Sequence, residues 1–218
     1  MKYVVVLGDG MADWPMESLN GGTPLSCAVT PCMDELAGMS EIGTVSTIPE
    51  GMAPGSDTAN LSVMGYDPRK YYTGRSPLEA LSIGVDMKES DVVYRCNLVT
   101  LTEEDVPYEE QRILDHSSGE ISTEDAAILL RDVCQELKNE NCSFYVGTSY
   151  RHCLVWENGK NLELTPPHDV LTQRVGNYLP EDEMLLSMQK KSYEILKDHP
   201  LNRKRKEQGL NPANSFWF

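Results

Sequence analysis

A serine and an aspartate, each next to glycine, are the residues of this sequence with the clearest potential for catalysis. Ser56 follows Pro54-Gly55, a pair typical of turns, and the residues after it can form a helix with an acidic first turn. A hydroxyl group at the start of a helix lies close to unpaired backbone N–H groups, a position that suits an anion such as phosphate. The alternative interpretation is that Ser56 only caps the helix.

Asp9 lies between two glycines, directly after a short apolar run at residues 2–7. The run is rich in β-branched residues, which predicts a buried parallel strand. Open α/β sheets bind their ligands at the carboxyl ends of such strands. If Ser56 shares that edge, a carboxylate and a serine there suit a divalent cation, which would lower the pKa of the hydroxyl and make it a nucleophile. The alternative is that Asp9 is a solvated residue of a turn.

Composition limits the classes of partner. The chain has 218 residues and a formal net charge of −15, which argues against nucleic acid and means that an anionic substrate must be attracted by local positive charge. The apolar run near the amino end is too short for a signal peptide or a membrane span, so we expect a cytoplasmic protein with no membrane partner. The six cysteines show no C-x-x-C spacing, which predicts reduced thiols.

The order of elements predicts an α/β protein. Strands are expected at residues 2–7 and 42–48, and helices are expected after Thr30 and from Ser56. A second, smaller α/β unit is expected to start near residue 86. Its predicted elements are strands at 92–101, near 113, at 142–147 and at 150–156 and a helix capped at 122. A return helix at 185–198 is expected after it. The predicted domains are therefore residues 1–85, 86–180 and 181–218.

Three later segments carry more specific predictions. The helix capped at residue 122 should bury one apolar stripe, made of Ala127, Leu130, Val133, Cys134 and Leu137. Residues 203–206, a basic run, are interpreted as a solvated helix face. Residues 215–218 follow a polar turn and are mostly aromatic, so they resemble the start of a buried strand.

Arg75 is the basic residue with the most specific position. It lies between Gly74 and Ser76-Pro77, which should hold the chain in a fixed conformation just after the Ser56 helix. An arginine in such a place can clamp a phosphate or a carboxylate with two hydrogen bonds. The alternative is a solvated arginine.

Five strings carry a resemblance to a known family: VVVLGDGMADWP, GGTPLSCAVTPCMDELA, GSDTANLSVMGYDPRKYYTGRSPLEALSIGV, YRCNLVTL and HPLNRKRKEQGLNPANSFWF. They resemble the archaeal-type 2,3-bisphosphoglycerate-independent phosphoglycerate mutases, which belong to the alkaline phosphatase superfamily. The matches run from the first predicted strand to the last residue, with a looser middle. The long string that begins with GSDTAN is specific, whereas GSD alone would not be.

The resemblance implies a partial alkaline-phosphatase-like α/β sandwich core with an inserted smaller α/β domain. It implies interconversion of 3-phosphoglycerate and 2-phosphoglycerate through a phosphoserine at Ser56, without 2,3-bisphosphoglycerate as a cofactor. It also implies two divalent metal ions (Mn, Mg, Co or Zn), with Asp9 and Ser56 among their ligands. The later cluster of Asp and His ligands in the family has no counterpart in this chain, which is therefore interpreted as an incomplete and inactive portion.

The inserted domain is expected to supply cationic and hydrogen-bonding groups to a small anionic phosphorylated substrate. The predicted substrate-binding residues are Asn60, Arg75, Arg95, Asn97, Arg151, His152 and His168. Alternatively, Arg95 and Arg151 could simply pair with the many carboxylates. Two other functions stay open, a homoserine kinase-like member of the family and a non-catalytic fragment or binding module. An exposed edge of an incomplete core would allow a homo-oligomer.

Overall fold

The structure is a computed structural model that describes residues 1–8, 10–137 and 139–218. The chain divides into two compact units: unit 1 comprises residues 1–65, and unit 2 comprises residues 66–218. The division of the sequence into three domains stays a prediction.

Short helices with local start signals form the regular structure of unit 1. Its α-helices are α1 (Pro24–Cys27), α2 (Pro31–Gly38) and α3 (Ser56–Val63), and a 3₁₀ turn covers Glu17–Leu19. At the start of α1, Thr23 Oγ1 accepts a hydrogen bond from the N–H of Ser26 at 3.1 Å, and Ser26 Oγ accepts one from the N–H of Thr23 at 2.9 Å. A proline in the first turn of α1 and of α2 presets the helical φ. The helices predicted after Thr30 and from Ser56 are confirmed.

The two strands predicted in unit 1 do not form. Residues 2–7 and 42–48 have no regular secondary structure, and no β-strand occurs among the described residues of this unit. Val4, Val5 and Val6 are 84%, 67% and 90% exposed. A buried parallel strand needs neighbouring strands for its N–H and C=O groups and cover for both faces. The described part of unit 1 provides neither, so the apolar pattern alone does not produce a strand.

Within the described residues of unit 2, an antiparallel sheet of five strands forms the centre. The strands are β1 (Val92–Leu101), β2 (Ile113–Asp115), β3 (Cys142–Thr148), β4 (Arg151–Trp156) and β5 (Ser215–Trp217). Four of them follow the order β2-β1-β4-β3, and β5 pairs with β1. At Asn97, β1 pairs with Arg151 of β4 and with Trp217 of β5. The α/β class is confirmed, as is the buried strand predicted within residues 215–218.

Helices cover this sheet. They are α4 (Pro68–Tyr71), α5 (Arg75–Ser82), α6 (Thr123–Glu136), α7 (Glu183–Leu196) and α8 (Pro200–Glu207), with 3₁₀ turns at Tyr108–Glu110, Pro167–Val170 and Val175–Tyr178. α5 packs against β1, α6 against β3, and α7 against β5. The side chain of Ser122 caps α6, and that of Asp182 caps α7. The helices expected after residue 122 and near 185–198 are confirmed.

The buried face of α6 differs in part from the predicted stripe. Leu130 and Val133 are buried as predicted. Ala126 is fully buried, however, whereas Ala127 and Cys134 are only partly buried. Neighbouring alanines fit a 3.6-residue period almost equally well, so the sequence pattern alone could not tell which of them is buried.

The solvated face predicted for residues 203–206 is wrong at one position. Arg205 on α8 is only 5% exposed. Its guanidinium group donates hydrogen bonds to the backbone oxygens of Ser118 at 2.8 Å and Asn211 at 3.0 Å, and it lies 3.3 Å from the carboxylate of Asp125. Two of these partners are backbone carbonyl groups, which every residue has. The residue types therefore do not reveal that Arg205 is buried.

The state of the six cysteines tests the prediction made from their spacing. All six cysteines are free thiols, as their spacing predicts. Cys27 and Cys32 are exposed, whereas Cys96 and Cys153 are buried in the sheet, where burial raises the pKa of the Cys153 thiol to about 11.

In the described ranges, no helix combines the length and the apolar character that crossing a bilayer requires.

Candidate functional site

Ser56 is the first residue of α3 in unit 1. The residue before it, Gly55, is the N-cap and is extended, with φ −163° and ψ 150°, so Ser56 does not occupy the capping position. Ser56 is exposed, and the neighbouring Asp57 accepts a hydrogen bond from the N–H of Thr58 at 3.0 Å. Asn60 is also exposed and follows four residues later, on the same face of the helix. Unit 1 therefore brings the predicted nucleophile and one predicted substrate contact to the same helix face.

The predicted metal ligand Asp9 lies outside the described residues, so its relation to Ser56 stays a prediction. Within residues 1–8, 10–137 and 139–218, no group of three or more His, Cys, Asp or Glu side chains is arranged to hold a metal ion. The described side chains therefore do not by themselves form the two-metal site that the resemblance implies.

A cleft in unit 2 brings together four of the predicted substrate-binding residues. It has a volume of about 340 Å³ and is lined by Arg75, Arg95, Asn97 and His168, among others. Its walls are the start of α5, part of β1 and the loop at residues 161–168. Thr73, Ser76 and Thr165 add hydroxyl-bearing residues to the lining. A concave site of this size with a few polar groups suits a small-molecule ligand.

Two aromatic residues of the sheet hold the loop wall of the cleft in place. Tyr94 on β1 accepts a hydrogen bond from the N–H of Leu162 at 2.9 Å and donates one to the backbone oxygen of Lys160. Trp217 on β5 donates its indole N–H to the backbone oxygen of Thr165 at 2.7 Å. The loop is thus bonded to two strands, so this wall is part of the folded unit.

The start of α5 forms another wall of the cleft. Gly74 is the N-cap and has a φ of 110°, a conformation that residues with a side chain rarely adopt. Because glycine provides no capping side chain, the first N–H groups of α5 are left without one. Arg75 is the first helical residue, so a guanidinium group and the positive end of a helix dipole lie at the same wall.

Glu79 joins the two arginines of the cleft, and the sequence predictions missed it. Its carboxylate accepts hydrogen bonds from Arg95, one from Nε at 2.9 Å and one from Nη2. The Nε of Arg75 lies 3.8 Å from Oε1 of Glu79. Two positive charges and one negative charge leave this cluster with a net positive charge. The i, i+4 spacing of Arg75 and Glu79 on α5 is the sequence signal that could have revealed the pair.

Asn97 contributes a buried polar group to the cleft. It is 3% exposed, and its Oδ1 has no hydrogen-bond partner among the described residues. Leaving such a group unpaired costs about 1–3 kcal/mol, which is why most buried polar atoms of native proteins have a partner. Asn97 is among the residues that line the cleft.

His168 is an exposed member of this set, as Arg75 is, with a side chain that is 56% exposed. Its ring centroid is 6.3 Å from that of His116, and the His116 ring is 5.7 Å from that of Tyr150, both edge to face. Arg151 is not among the lining residues. Its guanidinium carbon lies 5.1 Å from the centre of the Tyr150 ring. Arg151 is also the residue of β4 that pairs with the cleft residue Asn97 of β1.

His152 is fully buried on β4 and does not line the cleft. Its Nδ1 accepts a hydrogen bond from the N–H of Gly147 at 3.2 Å, and its Nε2 has no partner in the part of the chain that the structure describes. Burial lowers the pKa of the imidazole to about 4, so the ring is neutral at pH 7. Arg151 is exposed at the start of β4, whereas His152 and the next three residues are buried, with His152 across from Cys96 of β1.

Comparison with known proteins defines the family. A family model described as 2,3-bisphosphoglycerate-independent phosphoglycerate mutase matches residues 37–202. That range includes α3 and nearly all of the cleft lining. The chain belongs to the family of 2,3-bisphosphoglycerate-independent phosphoglycerate mutases, which confirms the resemblance seen in the sequence.

Individual relatives agree with this assignment. The 2,3-bisphosphoglycerate-independent phosphoglycerate mutase of Methanosarcina barkeri is 49% identical over 222 residues, which cover 100% of this chain and 54% of the relative. A probable mutase of the same name from Geobacter sulfurreducens is 46% identical over 223 residues, covering 100% of this chain and 55% of the relative. The chain thus spans about half the length of the curated relatives it matches.

Two solved structures resemble the fold. A protein from Pyrococcus horikoshii has a TM-score of 0.67 and 29% identity, covering 95% of this chain and 48% of the other. The cofactor-independent phosphoglycerate mutase from Thermoplasma acidophilum has a TM-score of 0.50 and 26% identity, covering 95% of this chain and 56% of the other. The likeness therefore extends over nearly all of this chain.

Proposed function

We propose that this chain is the amino-terminal portion of an enzyme that interconverts 3-phosphoglycerate and 2-phosphoglycerate, and that the cleft of unit 2 binds the phosphorylated acid. The observation that carries the proposal is the meeting of Arg75, Arg95, Asn97 and His168 in one cleft. Membership of the family supports the choice of reaction, because relatives that match the whole of this chain are named for it.

The chemistry of the cleft suits such a ligand. With a net charge of −15, the chain as a whole repels anions, so binding depends on local positive groups. The guanidinium of Arg95 matches a carboxylate or phosphate with two parallel hydrogen bonds, and the start of α5 adds backbone donors. 3-Phosphoglycerate carries a hydroxyl group between its carboxylate and its phosphate, and Asn97 adds an amide group to the lining of the cleft.

Ser56 is the proposed nucleophile. Its Oγ attacks the phosphorus of 3-phosphoglycerate, the bond from phosphorus to the C3 oxygen breaks, and glycerate and a phosphoserine result. The oxygen at C2 of glycerate then attacks the phosphoserine, which releases 2-phosphoglycerate and restores the Ser56 hydroxyl. Exclusion of water protects the phosphoserine from hydrolysis between the two steps.

Two divalent metal ions are part of the proposal, since cations neutralise the oxygens of a transferring phosphoryl group. The described side chains do not form such a site, and Asp9 lies outside them, so no step above is assigned to a metal. Ligation by Asp9 and Ser56 stays a prediction. Metal analysis of a chain extended to the length of the relatives, with and without Asp9→Ala, tests it.

A coupled mutase assay tests the reaction. The assay compares the 218-residue chain with a chain extended to the length of the relatives, each as wild type and as Ser56→Ala, with Ser62→Ala on the same helix as a matched control. We expect turnover only in the extended chain, a loss of more than about a thousandfold in Ser56→Ala, and little change in Ser62→Ala. Mass spectrometry should find phosphate on Ser56.

Three results would contradict the proposal. Full turnover in the extended Ser56→Ala protein would remove Ser56 from the mechanism. Turnover with ATP and homoserine in place of phosphoglycerate would assign the chain to the kinase-like branch. Robust turnover by the 218-residue chain would show that it is not an inactive portion.

A further inference from the structure

We propose that Glu79 is a positioning residue of the cleft, which holds the guanidinium groups of Arg95 and Arg75 in the orientation that receives an anionic ligand. This role rests on the proposed function of the cleft as the site of a phosphorylated acid. Glu79 makes no contact of its own with the ligand in this proposal, because two anions would repel each other.

The contacts of Arg95 define which of its donors remain for a ligand. A guanidinium group has five N–H donors in one plane. Glu79 takes two of them, one on Nε and one on Nη2, along a single edge of the group. Among the described residues, Nη1 of Arg95 has no hydrogen-bond partner. The edge formed by Nη1 and the second Nη2 donor is therefore left for two parallel bonds to a carboxylate or a phosphate.

Partial burial restricts the motion of the Arg95 and Glu79 side chains. The side chains of Arg95 and Glu79 are 24% and 31% exposed, whereas that of Arg75 is 59% exposed. A free arginine side chain loses rotamer entropy when it binds a ligand, and Glu79 has already ordered Arg95 before binding occurs. Because Glu79 lies in the middle of α5 and Arg95 on β1, the same pair joins the helix to the sheet.

Two roles of Glu79 predict opposite effects on affinity. If Glu79 only neutralised positive charge, its removal would make the cleft more positive and strengthen the binding of anions. If Glu79 positions the arginines, its removal frees their side chains and weakens binding despite the favourable change in charge. The geometry at Arg95 favours the second role. Glu79 accepts two hydrogen bonds from one edge of the guanidinium group, whereas charge neutralisation alone does not require this fixed orientation.

Calorimetric titration of the 218-residue chain with 3-phosphoglycerate tests the sign of the effect. We expect Glu79→Ala to weaken binding about tenfold, as the loss of one charge-assisted hydrogen bond would. Glu79→Gln keeps one acceptor oxygen and should weaken binding less. Glu110→Ala is the matched control, since it removes the same charge from an ion pair with Arg174 at the same separation of 3.8 Å, away from the cleft lining. Its affinity should equal that of the wild type.

Nitrogen-15 NMR of the arginine Nε–H groups gives a readout that does not need the ligand. The Arg95 signal should be protected from exchange in the wild type and lose that protection in Glu79→Ala. An affinity of Glu79→Ala equal to or tighter than wild type would overturn the positioning role, as would an unchanged Arg95 signal. A wild-type chain that has a protected Arg95 signal but does not bind 3-phosphoglycerate would overturn the proposed function of the cleft instead.

Discussion

The two units use their apolar residues in opposite ways. In unit 1, Val6 is 90% exposed and the regular structure consists of short helices, whose starts depend on residues a few positions away. In unit 2, Phe216 is fully buried because β5 comes from the far end of the chain to pair with β1. The difference teaches that a helix can be specified by its own sequence, whereas a strand exists only when another strand lies beside it.

The largest expected effect is on the core of unit 2. Phe216 packs near Phe144, with ring centroids 5.6 Å apart, and its N–H donates to Ser192 Oγ at 2.8 Å. We expect Phe216→Ala to lower the free energy of unfolding by about 4 kcal/mol. The exposed Val5→Ala in unit 1 should change it by less than about 0.5 kcal/mol. Urea unfolding measures both, and similar effects of the two substitutions would contradict the contrast between the units.

A pH dependence should come from the interior of unit 2. The pKa of His152 is about 4 in the folded state, lowered by burial, against about 6.5 in the unfolded chain. Since the unfolded state binds the proton first, stability is fully present above pH 6.5 and falls as the pH drops toward 4. The loss amounts to about 3 kcal/mol.

His152→Asn removes this titration while its amide oxygen can still accept the N–H of Gly147. Unfolding free energies measured from about pH 4 to 7 should therefore show a shallower slope in the variant than in the wild type. Parallel pH profiles for the two proteins would show that the buried imidazole does not control acid stability.

Polar groups also link distant segments in unit 2, and Arg205 shows this most clearly. We expect Arg205→Ala to destabilise the chain by about 2 kcal/mol, because the backbone oxygens of Ser118 and Asn211 lose a buried charged donor. Arg203→Ala, in the same helix, removes only an exposed pair with Asp198 and should have little effect. Thermal unfolding followed by circular dichroism compares the two. Equal losses of stability in the two variants would contradict this, because Arg205 would then behave like an exposed surface charge.

The smallest expected effect on stability concerns two glycines, one in each unit. Gly74 has a φ of 110°, so Gly74→Ala should strain the start of α5 and cost about 1 kcal/mol. Gly38, at the end of α2, has no neighbouring atom within 4 Å of an added Cβ. Gly38→Ala should therefore be neutral or raise the helix content of unit 1 slightly. Circular dichroism measures both, and a stabilising Gly74→Ala would contradict the strained backbone at the cleft.

Local signals made much of the fold predictable from the sequence. Prolines and capping side chains located the starts of α2, α3 and α6, and alternating or apolar runs located β1, β3 and β4. What failed depended on partners that are distant in the sequence. The apolar run at residues 2–7 looks like a buried strand, but no described neighbour in unit 1 covers it.

Four of the predicted substrate-binding residues, Arg75, Arg95, Asn97 and His168, line one cleft. Their role in binding stays a prediction. The burial of His152 was not foreseen, since both faces of β4 are covered there by elements that are distant in the sequence. Asp9 lies outside the described residues, and its role stays a prediction.

The pairing of β5 with β1 has a consequence for synthesis on the ribosome. β1 emerges from the ribosome long before β5. Until the intervening residues have been added, Asn97 on β1 therefore lacks its pairing partner Trp217. At usual rates of translation this interval is on the order of ten seconds. Throughout that time the nascent chain presents an unpaired strand edge, which is a target for misassociation with other chains and for the chaperones that prevent it.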